Sequence, residues 1–151
     1  MDDSHVEALI TELGPLDDSV AEIIRDPDGN WVVRVGDIDV VVEFDAAAQV
    51  LRIGTDIGIV PEASRLSVYE SLLVYNIAAQ SSGGVVMALT GPGGSVVQML
   101  VLPVAGLTAQ ALVVPIVNLA ERTPIWREII ANDDSDAPFA ASPEFNSFIR
   151  V

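Results

Sequence analysis

Side chains able to carry nucleophilic or metal chemistry are scarce in this sequence. There is one histidine, His5, and no cysteine. A Ser–His–Asp relay needs an imidazole between a nucleophile and a carboxylate, and a Cys–His pair needs a thiol. His5 falls in the first turn of an expected surface helix and reads as a solvated side chain. Without thiols there is no disulfide, no thiol catalysis and no zinc–thiolate site. Carboxylates are abundant, and a pair such as Asp37 and Asp39 is capable in principle of acid/base work. These two alternate with apolar neighbours, so the wet face of a strand accounts for them. Asp26-Pro27-Asp28-Gly29-Asn30 has the residue types of a calcium loop, but its glycine comes two positions early and the closing Glu is missing. Asp133-Asp134-Ser135-Asp136 reads as a solvated acidic run. Gly91-Pro92-Gly93-Gly94-Ser95 lacks the Lys–Ser/Thr of a phosphate loop and reads as a hairpin connection. No catalytic residue, cofactor or metal ligand is expected, and an enzyme is set aside.

The elements that hold these residues follow from periodicity. Val6, Leu9, Ile10 and Leu13 recur at helical spacing, predicting a helix over 3–13 that Gly14-Pro15 ends. A short strand at 20–25 is followed by the turn Asp26–Gly29. Strands at 30–35 and 38–44 flank the two-residue hairpin signal Gly36-Asp37. Ile38, Val40, Val42 and Phe44 share one face of the second strand, and Asp39, Val41 and Glu43 the other. A further strand runs over 49–54. After Gly58-Ile59-Val60-Pro61 a second helix is predicted over 64–80, with Leu66, Tyr69, Leu72, Leu73 and Asn76 at three- and four-residue steps. Residues 83–90 and 95–102 are two more strands. A third helical stretch spans 107–131, where Pro115 and Pro124 predict a kink or a break. The fold class is therefore α+β: helix, antiparallel strands, helix, two strands, helix. One domain over 1–131 is followed by an acidic, Phe-containing tail over 132–151.

Charge narrows the function classes. The chain has 22 acidic residues and seven basic ones, all arginine, for a net charge of −15. Such a field repels phosphate backbones and anionic headgroups, so neither nucleic acid nor a membrane is an expected partner. From Ser71 to Ala120 there is no Asp, Glu, Lys or Arg. A membrane span needs about 20 continuous apolar residues. Here glycines and prolines break the run, and its longest apolar piece, Val96–Leu107, contains Gln98. An interface short of charge explains the stretch better. The second helix is apolar nearly all round, and Leu73, Ile77 and Ala79 call for a cover, of which a symmetric partner is the commonest kind and the third helix of the same chain the alternative. On the outward face of the strands, Val32, Val41 and Val50 lie among Arg34, Asp39, Glu43 and Arg52, which is a possible shallow binding stripe.

The order of elements resembles class I chaperones of bacterial type III secretion, the Tir-chaperone (CesT-like) family. Asp26-Pro27-Asp28-Gly29 before Trp31-Val32-Val33 resembles the family's first hairpin. Gly58-Ile59-Val60-Pro61 looks like its LG-x-P approach to the second helix, and Leu72-Leu73-Val74-Tyr75-Asn76 like its LL-x-x-N pattern. Gly83-Gly84, Leu102-Pro103-Val104, Leu107-Thr108 and Trp126 fall in matching order, so the likeness covers residues 3–131. It implies a bacterial cytoplasmic homodimer with Leu72, Leu73, Asn76, Ile77, Ala79, Met99 and Val101 in the dimer interface. It implies binding of an effector's N-terminal segment in extended form, without ATP or metal, with Val6, Val32, Val41, Val50, Arg34 and Arg52 facing the cargo. Handover to the secretion machinery, with its ATPase as a further partner, is implied as well. A regulatory protein-binding module of the same fold is the alternative. The two prolines of the third helix and the Phe-rich tail depart from the pattern. That tail is expected to dock in the cargo groove when no cargo is bound.

Overall fold

The computed structural model describes residues 1–132 apart from Ser82. The Phe-containing tail, beyond Asn132, lies outside the described residues. Eleven elements follow in the expected order. Helix α1 is Asp3–Thr11, started by the Asp2 carboxylate, which accepts from the His5 backbone N–H as an N-cap should. Gly14-Pro15 does not stop the helical path. A one-turn helix, α2, covers Leu13–Leu16. Pro15 fits there because the first amides of a helix have no intrahelical acceptor anyway.

Strands β1 (Val20–Arg25), β2 (Trp31–Val35), β3 (Ile38–Asp45) and β4 (Val50–Gly58) form an antiparallel meander. The Asp26–Gly29 turn is held by Asp26, whose carboxylate accepts from the backbone N–H groups of Asp28 and Asn30, and Gly29 takes φ +87°. Val35 opposite Ile38 closes the two-residue hairpin at Gly36-Asp37. Strand β4 runs four residues past its expected end at 54. Alternation continues through Thr55 and Ile57, which are buried, and the polar threonine at an inward position masks it in the sequence. Strands β5 (Val86–Leu89) and β6 (Val96–Pro103) make a second hairpin. The sheet order is β1-β2-β3-β4-β6-β5.

A 3₁₀ turn, Glu62–Ser64, leads into α3, Arg65–Ile77. The buried stripe of α3 is Val68, Leu72 and Tyr75, while Leu66 and Leu73 are exposed. A helix apolar on all sides has no sequence signal for its phase. Helix α4, Ala109–Ala131, is a single uninterrupted helix, so the break expected at Pro115 and Pro124 does not occur. Each interior proline costs about 3 kcal/mol. Burial of Leu112, Ile116, Leu119, Trp126 and Ile130, at roughly 1.5–3 kcal/mol per side chain, outweighs that.

The chain forms two compact units. One holds Met1–Thr55 and Leu100–Arg122, the other Asp56–Met99 and the chain from Thr123. In the first, the inward residues of the meander, Trp31, Val33, Val40, Val42, Leu51 and Ile53, are buried along with Val6 and Ile10 of α1. In the second, Ile57, Val60, Val68, Leu72, Tyr75, Met87, Val96, Trp126 and Ile130 form one cluster. Tyr75 and Trp126 meet edge to face there, with ring centroids 5.1 Å apart.

Candidate functional site: protein-binding surfaces

Two apolar surfaces stand out, one on each unit. On the second unit, α3 and β5 frame a groove of about 260 Å³ lined by Tyr69, Leu72, Leu73, Met87, Ala88 and Leu89. Leu73 is 68% exposed and Ile77 84%, far beyond what isolated surface leucines and isoleucines need. The Tyr69 hydroxyl is buried beside them without a hydrogen-bond partner. Asn76, expected in the dimer interface, is half-buried. Its Nδ2 donates to the Met87 carbonyl at 2.9 Å, and the Met87 N–H donates to its Oδ1 at 2.8 Å. Its amide is thus engaged within its own chain. Ala79 and Met99 are half-buried. Leu72 is buried to 5% exposure yet still lines the groove. Val101, half exposed, belongs to the other unit.

On the first unit the strand registers align side chains into rows across the outer face. Ile24 pairs with Val32, Val32 with Val41, and Val41 with Gly54. This apolar row is bordered by charge. On one side Arg34 bridges Asp39 at 2.8 Å and Glu22 at 3.8 Å; on the other Arg52 bridges Asp45 at 2.7 Å and Glu43 at 3.5 Å. Both arginines expected to face cargo are therefore already paired, as flank rather than bait. Val32 and Val50 are half-buried and Val41 exposed. Val6 is corrected: it is fully buried, because α1 turns that side of its stripe inward, and it is closed to a partner in this conformation. Ile24, nearly half exposed, was missed. Its strand has no clean alternation, and only pairing with Val32 puts it in the row.

Hydrogen bonds and charge pairing favour the ionised form of two of these carboxylates, Asp39 and Asp45. Asp39 lies below the usual carboxylate range chiefly through its hydrogen bond from Arg34. Asp45 is lowered by the Ala48 backbone N–H and then by Arg52. Arg34 with Asp39 and Arg52 with Asp45 thus stay charged on both sides at neutral pH.

The model of the Tir chaperone protein (CesT) family matches residues 9–126. The chain belongs to the CesT family. It is accordingly a class I type III secretion chaperone by family. Three solved structures share the CesT fold seen here. A chain of the ExsC–ExsE complex is 16% identical, with a TM-score of 0.64 over 89% of this chain and 100% of that one. A chain in the complex of the Yersinia pestis type III secretion chaperone SycH with a fragment of YscM2 is 19% identical, with a TM-score of 0.59 over 82% and 97%. A chain of the HopA1–SchA chaperone–effector complex is 17% identical, with a TM-score of 0.65 over 85% and 98%. No curated protein matches the sequence. Among the described residues no helix is long and apolar enough to cross a membrane.

Proposed function

We propose that this chain is a cytoplasmic bacterial chaperone that binds the N-terminal segment of a type III effector in extended form and keeps it soluble and ready for secretion. The carrying observation is the CesT family match across residues 9–126. Solved relatives of the same fold include a chaperone–effector complex and a secretion chaperone with a bound fragment. The mechanism is passive and needs neither ATP nor metal. Apolar cargo side chains are covered in surface grooves, and main-chain pairing at a sheet edge supplies further affinity. A net charge of −15 favours cargo segments with basic residues and raises their encounter rate.

The working unit in this reading is a homodimer. Leu73 and Ile77, together with the α3–β5 groove, form a charge-free face suited to a second copy, since the centres of obligate interfaces are depleted of charge. The outer row Ile24–Val32–Val41, with its ionic borders, is then left for cargo. Co-expression with candidate effectors, followed by mass determination of the purified complex, tests this. Two copies of this chain per effector are expected. A lone subunit at micromolar concentration that solubilises none of the candidates overturns the reading.

A further inference from the structure

Strand β5 ends the sheet order, so one of its long sides has no strand beside it. Its register sets Met87 opposite Gln98 and Ala88 opposite Val97. In an antiparallel ladder the N–H and C=O of one residue point together, either to the neighbouring strand or away from it. Those of Met87 point away from β6, because both are bonded to Asn76, at 2.8 and 2.9 Å. A primary amide has one acceptor and a donor side by side. It therefore presents to Met87 the same two groups that an added strand would present. Asn76 is also the penultimate residue of α3, a place where asparagine is a poorer helix former than leucine. Its cost to the helix is offset by what it does for the edge.

An uncovered edge strand is a template for pairing with other chains, and natural proteins blunt such edges. Strand β5 has four residues, so a cap at Met87 interrupts its outward hydrogen-bonding row near the middle. We propose that Asn76 is an edge guard: its side-chain amide occupies Met87 in place of a foreign strand and keeps β5 from pairing with a second copy or with an extended segment of another protein. The inference goes beyond the chaperone reading, since it concerns the β5 edge whatever the cargo. A residue that merely anchored α3 to β5 would affect stability when replaced and leave association unchanged.

Amide exchange tests the bond itself, and association of a variant separates the guard from the anchor. In the unaltered protein, the Met87 amide should exchange with solvent deuterium at least about a hundredfold more slowly than an unpaired peptide amide. Exchange at the unpaired rate overturns the proposal. Asn76→Leu removes both bonds and favours the helix. Over a concentration series its sedimentation profile should extend to species larger than any the unaltered protein forms. Adding Val86→Lys, an exposed position of the same edge strand outside the groove, should reverse this. A folded Asn76→Leu protein with the unaltered size distribution overturns the guard. If that variant does not fold, Asn76→Asp, which keeps the acceptor but loses the donor, is read in the same way.

Discussion

Gln98 is the polar residue that interrupts the longest apolar run of the chain, and it is fully buried. Its Nε2 donates to the Thr123 hydroxyl at 2.9 Å. This links β6 to the last third of α4 inside the second unit and satisfies a group that would be costly to bury alone. In the same unit, Trp126 is fully buried against Tyr75. Trp126→Ala should lower unfolding free energy by about 3–5 kcal/mol, measured as a shift of the urea midpoint. A change within experimental error would mean that the aromatic pair does not organise this cluster. At the surface, the Asp17, Asp39 and Asp45 carboxyls all lie below their ordinary range. A group depressed on folding contributes stability that is complete above its unfolded pKa, about 3.9, and disappears as pH falls through the folded value. The urea midpoint should therefore decline below about pH 4. Acidification also relieves the self-repulsion of a strongly acidic chain. A midpoint that rises over the same interval would show that repulsion wins.

Helix α4 is the element in which tertiary packing overrides local preference. Pro124 is exposed and sits inside the helix, so its missing N–H is a cost without an evident packing return. Pro124→Ala should raise stability by about 1–3 kcal/mol, read in a thermal melt. A lower melting temperature would assign the ring a contact of its own. The meander was legible because Ile38, Val40 and Val42 alternate with Asp39 and Glu43, and because Asp26–Gly29 and Gly36-Asp37 carry residues that suit tight turns and little else. Three features were not legible. The phase of α3 was hidden by apolar residues on every side. The extension of β4 was hidden by Thr55. The continuity of α4 depends on side chains such as Trp126 meeting residues far away in sequence. The same division holds for the surfaces. Val32 and Val41 could be placed by alternation, whereas Ile24 joined them only through register. Asn76 could be recognised as part of a pattern, but its bond to Met87 could not.

At the scale of the molecule, a chain with a net charge of −15 keeps every position from Ser71 to Ala120 free of charge and still exposes Leu73 and Ile77 there. In the dimer reading, Leu73→Asp or Ile77→Asp places a carboxylate in the interface and should shift sedimentation from two subunits to one. Because both side chains lie outside the buried core of their unit, far-ultraviolet circular dichroism should be unchanged. Retention of the larger species would move the interface elsewhere.

The row across the outer sheet also has a pitch. Ile24, Val32, Val41 and Gly54 come from successive strands, so the row advances about 4.8 Å per position. A fully stretched peptide laid over it repeats its same-side groups about every 6.6 Å and loses step almost at once. One coil of an α-helix rises about 5.4 Å, a closer match, and the missing side chain at Gly54 leaves a notch for a bulky residue. Cargo that is otherwise drawn out should therefore curl for two or three turns where it crosses this comb, with its apolar residues three and four apart. Alternate-residue scanning of a bound segment would reveal the opposite rhythm if it stays straight.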